Sequence, residues 1–404
     1  MAAELDEIFD GFDENSIFKD KFILQTNYKP EEIPHRDKQI RQIASILAPV
    51  LRGERTSNLF VYGKTGTGKT LSIQYVRDQL MKRVKKDAGF KLRIEYLNCK
   101  LKKVSDTEYR ILAELIKKLG GEVPATGLPT ESVYSKFIEL IDKEKQLLVL
   151  IFDEIDQTVK KIPDDFLYNL TRLNSELSKT QICLIGISNN LTFLDDLDPR
   201  ARSSLSEEEV VFPPYNALEL KDILYKRAKQ GFKEGVVDEG VIAKCAAYAA
   251  REHGDARRAL DLLRIAGELA ERDRSKKILL RHLDEANSKI ERDKILDVIQ
   301  SEPKQFQIVL HSIISLFELK KGDEPLFTGD VYNFYSDVCL QNKMEVLTQR
   351  RVSDIVQEFD MLGIINVRVI SKGRGGRMRE IRLAISKNIV EKAKEIIKES
   401  LNYI

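Results

Sequence analysis

The run Gly63-Lys64-Thr65-Gly66-Thr67-Gly68-Lys69-Thr70 carries three glycines and a closing Lys-Thr pair at the spacing Gly-x-x-x-x-Gly-Lys-Thr. The glycines let the backbone curl so that successive N–H groups face inward and form an anion nest. A helix starting at the end of the run adds its positive dipole end. Lys69 would then reach the β- and γ-phosphates of a nucleotide, and the Thr70 hydroxyl would ligate Mg2+. The flanks suit this chemistry: Leu59 to Tyr62 is an apolar strand, and Leu71, Ile73, Val76, Leu80 and Val84 recur afterwards at roughly helical spacing. All eight residues of the run are candidate ligands for ATP or ADP.

Two further segments could complete a hydrolytic site. Leu147 to Phe152 is a continuous apolar run ending in Asp153 and Glu154, as expected of a fully buried parallel strand that delivers carboxylates to its C-terminal edge. Asp153 would hold the magnesium through its water shell, and Glu154 would orient and polarise the attacking water. Ile182 to Ile187 is a second buried strand, ending in Ser188-Asn189-Asn190. An asparagine amide donates and accepts, so Asn189 suits the space between a γ-phosphate and the water-activating acid.

These residues need elements that bring them to one edge. A turn-rich lead-in from Gln25 to Arg36 precedes a helical pattern from Asp37 to Leu51. Strand-like runs at Leu59 to Tyr62, Arg93 to Cys99, Leu147 to Phe152, Ile182 to Ile187 and Glu209 to Phe212 alternate with longer helical segments, which predicts an α/β fold with a parallel sheet. From Asn216 to Glu302 the strand signals stop and only helical spacing remains: Leu218 to Gln230, Val241 to Arg251, Ala256 to Arg272 and Leu283 to Gln300. Pro303 marks a boundary. Helices over Lys304 to Leu319, Thr328 to Asn342 and Thr348 to Leu362 then lead into two alternating runs around a glycine-rich turn. The expected domains are an arm and lead-in at 1–36, an α/β base at 37–215, a helical lid at 216–302 and a C-terminal domain at 303–404.

The C-terminal domain has its own chemistry. Apolar residues at 352, 355, 356, 359 and 362 give the Thr348 to Leu362 helix one buried face, with Gly363 placed to cap it. The opposite face offers Gln349, Arg350, Ser353 and Gln357, which can read base edges in a major groove. From Ile364 to Arg382 the hairpin holds six cations, Arg368, Lys372, Arg374, Arg377, Arg379 and Arg382, against Glu380 alone, a net +5. That density favours phosphate contact, with Lys372, Arg374, Arg377 and Arg379 the candidate DNA contacts. A helical pair followed by a basic hairpin reads as a winged helix.

Bulk composition sets outer bounds. The 404 residues suffice for two or three domains, and a net charge of +2 means that any nucleic-acid surface is local. Cys99, Cys183, Cys245 and Cys339 stand far apart with no Cys-x-x-Cys pair, and three sit in apolar surroundings, which fits buried thiols in a reducing cytosol. No stretch approaches a membrane span, and the acidic start lacks the layout of a signal peptide. The expected location is cytoplasmic, associated with the nucleoid.

Taken together, the phosphate loop, Phe152-Asp153-Glu154-Ile155-Asp156, Gly186-Ile187-Ser188-Asn189-Asn190, Asp198-Pro199-Arg200-Ala201-Arg202-Ser203-Ser204-Leu205 and the run from Gly254-Asp255-Ala256-Arg257 to Arg264 resemble the archaeal origin-recognition/Cdc-type replication initiator family. Pro34-His35-Arg36 and Phe212-Pro213-Pro214-Tyr215 are similar to that family too, and the resemblance spans nearly the whole chain. It implies an AAA+ P-loop NTPase core with an all-helical lid and a C-terminal winged-helix domain. It further implies that Asn189 is the sensor-1 residue, that Arg257 is a sensor-2 arginine reaching the γ-phosphate, and that Tyr215 and Arg227 contact nucleotide.

Arg200 and Arg202 lie where such ATPases carry an arginine that completes a neighbour's site. Some relatives read Ser-Ser-Arg where this chain reads Ser203-Ser204-Leu205, which speaks against a strong trans-acting finger. The stretch from Val104 to Gly121 matches an initiator-specific insertion that touches DNA, with Arg110, Lys117 and Lys118 as its contacts. The function implied is a weak, mainly regulatory ATPase that binds double-stranded origin DNA and recruits the replicative helicase, together with paralogous initiators. Two rivals stay open at this point: an ATP-switched transcription regulator and a clamp- or helicase-loading subunit.

Overall fold

A computed structural model describes residues 16–84, 89–100, 107–124, 127–159, 162, 165–193, 197–205, 207–320, 325–371 and 377–401. The chain divides into two compact units, one ending at Leu283 and one starting at Asp284.

The first unit opens with a lead-in and helix α1 (Asp37–Leu47), then β1 (Asn58–Tyr62), α2 (Lys69–Arg83), β2 (Lys91–Asn98), α3 (Glu108–Lys118), α4 (Thr130–Ile141) and β3 (Gln146–Asp153). It continues through α5 (Ile155–Val159), α6 (Asp165–Arg172), β4 (Thr180–Ser188), α7 (Pro199–Leu205) and β5 (Glu207–Val211). Three helices follow, α8 (Ala217–Gly231), α9 (Glu239–Arg251) and α10 (Ala256–Arg272). Helix α11 (Leu280–Ser301) contains the division between the units, upstream of Pro303, where α11 gives way to the next helix.

The five strands form one parallel sheet in the order β2-β3-β4-β1-β5. Side chains alternate between its faces. Phe60, Tyr62, Leu148, Leu150, Phe152 and Leu184 pack under α3, α4 and α6, whereas Leu59, Val61, Leu147, Val149, Ile151 and Ile185 pack under α1 and α2. Covering both faces explains why β1 and β3 are buried at every position and read as unbroken apolar runs. β5 is one of the two edge strands, and its exposed glutamates Glu208 and Glu209 suit an unpaired edge.

Helices α8 to α10 pack on one another and on the lead-in. Asn216 caps α8 through a capping box with Glu219, and Asp255 caps α10 by accepting from the Arg257 and Arg258 N–H groups. Residues 16–24 of the lead-in are pinned to these helices. Phe18 stacks on Phe232 at 4.7 Å, the Lys19 and Asp20 N–H groups donate to Gly231 O, and the Ile17 N–H donates to buried Glu271. The chain then crosses to the sheet side, where Arg36 precedes α1.

The second unit, from Asp284, holds the rest of α11, then α12 (Lys304–Leu319), β6 (Leu326–Phe327), α13 (Thr328–Gln341), α14 (Gln349–Met361), β7 (Ile365–Ser371), β8 (Arg377–Leu383) and α15 (Lys387–Leu401). Its antiparallel sheet runs β6-β8-β7. Val352, Ile355, Val356 and Phe359 of α14 are buried against Phe306, Ile313 and Tyr335. Leu362, expected on that face, is 41% exposed, because α14 has ended at Met361 and Gly363 turns the chain with a φ of 70°. The helix expected from Asp37 to Leu51 is shorter: it passes into a 3-10 turn over Ala48–Arg52 once Pro49 interrupts the α-helical donors.

Candidate functional site

The connections that follow three parallel strands converge on one edge. β4 lies between β3 and β1, with Asp153 in register with Ile187 and Tyr62 with Ser188. The residues following those three strands are thereby brought together: Asp153 and Glu154 after β3, Asn189 after β4, and the phosphate loop after β1. The Lys69 ammonium donates to Gly63 O at 2.7 Å, Lys64 O at 2.8 Å and Asn189 Oδ1 at 2.8 Å. Burial pulls its pKa down to about 8, with Asp153 opposing that and Arg257 reinforcing it.

Thr70 and Asp153 meet as the magnesium reading requires. The Thr70 hydroxyl donates to Asp153 Oδ2 at 2.8 Å, and the same oxygen accepts from the Tyr96 hydroxyl at 2.6 Å. Tyr96 lies on β2 and escaped the sequence reading, since a lone tyrosine in a strand signals only packing. Burial and the adjacent Asp153 push its phenol pKa up, so it stays a donor. The threonine and carboxylate oxygens fit a hard cation. Glu154 sits at φ 56°, a left-handed conformation that costs a non-glycine residue energy and that clusters at functional sites. Ser188 Oγ donates to the buried Asp156 carboxylate at 3.2 Å, and the Asn189 N–H donates to the same Oδ1 at 3.4 Å, which fixes the Asn189 backbone.

The lid closes over the loop through glycine-only contacts. Gly66 has φ 72°, and a Cβ on it would lie 1.7 Å from Asp255 Oδ1, while Gly66 O accepts from the Ala256 N–H at 3.2 Å. The N-terminal turn of α10 therefore rests on the loop, and Arg257 lines the cleft beside Lys69 and Asn189. Lys64 Nζ lies 3.2 Å from His253 Nδ1, a further link between loop and lid.

The cleft itself has a volume of about 810 Å³. Loop residues Thr65 to Thr70, Asp153, Glu154, Asn189, Tyr215, Arg227 and Arg257 all line it. So do residues 25–34 of the lead-in, which form its outer wall and which sequence reasoning read only as a turn-rich connection. Arg227 is buried: Nη1 donates to Ile23 O at 3.1 Å and the guanidinium lies 4.4 Å from the Tyr28 ring. Tyr215 is packed under the Arg36 guanidinium at 3.7 Å.

Among the described residues, the glycine cradle, the cleft beside it and the oxygen pair at Thr70 and Asp153 fit a nucleoside triphosphate with magnesium. Thr70 and Asp153 would hold the ion, which when bound neutralises charge on the phosphate oxygens. Lys69 and Arg257 would supply positive charge there, and Glu154, which also lines the cleft, would be the general base.

Other expected residues lie apart from the cleft. Arg200 is paired with Asp198 at 3.0 Å on α7, and Arg202 is exposed on the same short helix. Arg110, Lys117 and Lys118 are exposed on α3, whereas residues 104–106 of that expected stretch lie outside the described residues. In the second unit Gln349, Arg350 and Gln357 are exposed on α14. Ser353 is half-buried and its hydroxyl accepts from Arg379 Nη1 at 2.8 Å, so the two brace helix against hairpin. Arg382 is paired with the buried Glu380 at 2.6 Å. Lys372 and Arg374 lie outside the described residues, as does the Arg377 side chain.

A parallel sheet with a phosphate loop, paired acidic residues and a helical lid, followed by a winged helix, defines an AAA+ ATPase. Domain models agree: an AAA domain matches residues 52–194, a Cdc6 AAA+ ATPase-type lid domain residues 221–288, and a CDC6 C-terminal winged helix domain residues 297–393. The chain is 51% identical to an ORC1-type DNA replication protein of Thermococcus onnurineus, over 95% of this chain and 92% of the relative. It is 50% identical to that of Pyrococcus furiosus, over 95% and 91%. The structure of the Aeropyrum pernix ORC1 protein in complex with DNA superposes with a TM-score of 0.78 at 41% identity, over 95% of this chain and 97% of that one. The chain belongs to the ORC1-type DNA replication proteins, AAA+ initiators of replication. Among the described residues, no helix is long and apolar enough to cross a membrane.

Proposed function

We propose that this initiator binds double-stranded origin DNA and that its nucleotide state sets its ability to recruit the replicative helicase, with slow hydrolysis as a switch. The observation that carries the reading is the seating of the α10 N-terminus on Gly66, which places Arg257 beside Lys69 and Asn189. A ligand shifts a conformational equilibrium only through differential affinity, and a γ-phosphate contacted by Arg257 and Asn189 distinguishes ATP from ADP. The exposed α14 residues Gln349, Arg350 and Gln357 and the basic hairpin are the DNA-contacting set, with Arg110, Lys117 and Lys118 on α3 as a second. The Aeropyrum pernix ORC1 structure, of an ORC1 protein in complex with DNA, supports this assignment by its 41% identity.

The test is genome-wide mapping of bound DNA together with binding to a mapped site in ATP and ADP. Occupancy at origins, with an ATP/ADP difference that Arg257→Ala abolishes, is the expected result. Occupancy of promoters without origin repeats favours a transcription regulator instead. Fast turnover that requires other subunits favours a loading motor.

A further inference from the structure

Arg36 is a charged side chain with only 1% of its surface exposed, and three carbonyl oxygens accept from it. Nε donates to Thr67 O at 2.8 Å, Nη2 to Pro213 O at 2.7 Å and Nη1 to His35 O at 3.3 Å. Its guanidinium carbon lies over the Tyr215 ring at 3.7 Å and is 5.6 Å from the centre of the Phe212 ring. Burying a charge is costly unless it is held this way, so the contacts define one rotamer. Three separate segments meet on it: the lead-in, the phosphate loop, and the 212–215 connection between β5 and the lid.

The contact with Thr67 bears on the nest itself. In a trans peptide the C=O and the next N–H point in opposite directions, and the described residues contain no cis bond. Drawing the Thr67 carbonyl toward Arg36 therefore turns the Gly68 N–H away from it, toward the cleft that Gly68 lines. The Tyr215 hydroxyl closes the space beside Gly68 on the Arg36 side, since a Cβ on Gly68 would lie 2.9 Å from that hydroxyl and 3.9 Å from Arg36 Nε. Tyr215 in turn donates its N–H to Gly254 O at 3.4 Å, one residue before the Asp255 cap that sits on Gly66.

We infer that Arg36 is a positioning residue for nucleotide binding: it orients the Thr67–Gly68 peptide so that the Gly68 N–H faces the phosphates, and it ties that orientation to the lid connection at Pro213 and Tyr215. The inference rests on the nucleotide reading of the cleft. A buried, pre-oriented N–H contributes more to an anion than a free one does, because no reorientation is needed on binding.

The experiment uses the full chain labelled with 13C-carbonyl threonine and 15N-glycine, which selects the Thr-Gly pairs at 65–66, 67–68, 126–127 and 328–329. Addition of Mg-ADP moves the Gly68 amide proton downfield in the native protein; if no loop resonance moves, the nucleotide reading itself fails. Arg36→Met abolishes the Gly68 shift and weakens ADP binding about ten- to a hundredfold, as expected for losing an oriented hydrogen bond to a charged group, while Gly329 is unchanged. Arg36→Lys, which reaches one carbonyl and keeps the charge, recovers part of both and carries the test if the methionine variant does not fold. Native ADP affinity in these variants, or weakened affinity with the native Gly68 shift, overturns the inference and leaves Arg36 a structural residue only.

Discussion

Lys69 sits with its three ammonium donors committed to Gly63, Lys64 and Asn189 and with its pKa held at about 8. Phosphate oxygens favour the charged form, so above about pH 8 the lysine must take up a proton when nucleotide binds. ADP affinity should therefore decline as pH rises beyond 8, and calorimetry in buffers of different ionisation enthalpy should detect proton uptake there but not near neutrality. Lys69→Arg should flatten the profile. The unliganded protein runs the opposite way: between about 8 and 10.5 the unfolded chain holds a proton that the folded one releases, so this lysine's contribution to stability grows with pH. Glu154 makes a separate prediction. Glu154→Gln should keep nucleotide affinity and slow turnover by about 10²- to 10⁴-fold, the usual contribution of a general base, as read by single-turnover hydrolysis.

The contact between the phosphate loop and α10 belongs to the scale of elements. Gly66→Ala would drive its methyl into the Asp255 carboxylate and would hold alanine at φ 72°. It should lower both the thermal midpoint and ADP affinity, by displacing the cap that seats Arg257. Asp255→Ala alone should cost about 1 kcal/mol of stability through the lost cap. In the double variant the steric part of the Gly66→Ala penalty should vanish; equal penalties in both backgrounds would show that the two elements do not couple there.

The elements themselves were largely readable. Helices such as Lys304 to Leu319 and Ala256 to Arg272 match the structure at both ends, because Pro303 and Asp255 are unambiguous starts and the apolar spacing is regular. Two-residue β6 was not, since so short a strand exists only through its pairing with β8. The convergence of Lys69, Thr70, Asp153 and Asn189 on one edge was legible from spacing and strand order. Tyr96 and Arg36 were missed as site residues because their roles depend on which segments lie above them, and no local pattern records that.

The second unit, taken whole, pairs a recognition-type helix with a hairpin of basic sequence. Arg379 is braced on Ser353 and Arg382 on Glu380, and the sequence places Lys372 and Arg374 between β7 and β8 and Arg377 at the start of β8. Replacing Arg374 and Arg377 by alanine should lower DNA affinity and flatten the plot of log affinity against log salt by roughly 0.9 per lost phosphate contact. An unchanged slope would place those arginines away from the phosphates. The first unit has a different whole-molecule property. Its lid is joined to the sheet twice: once through residues 212–216, and once through the lead-in, whose residues 16–24 are fixed on α8 and α10 while Arg36 is fixed beneath the phosphate loop. Any opening of the lid must therefore bend two covalent connections at once, residues 212–216 and the lead-in segment 25–35 that walls the cleft.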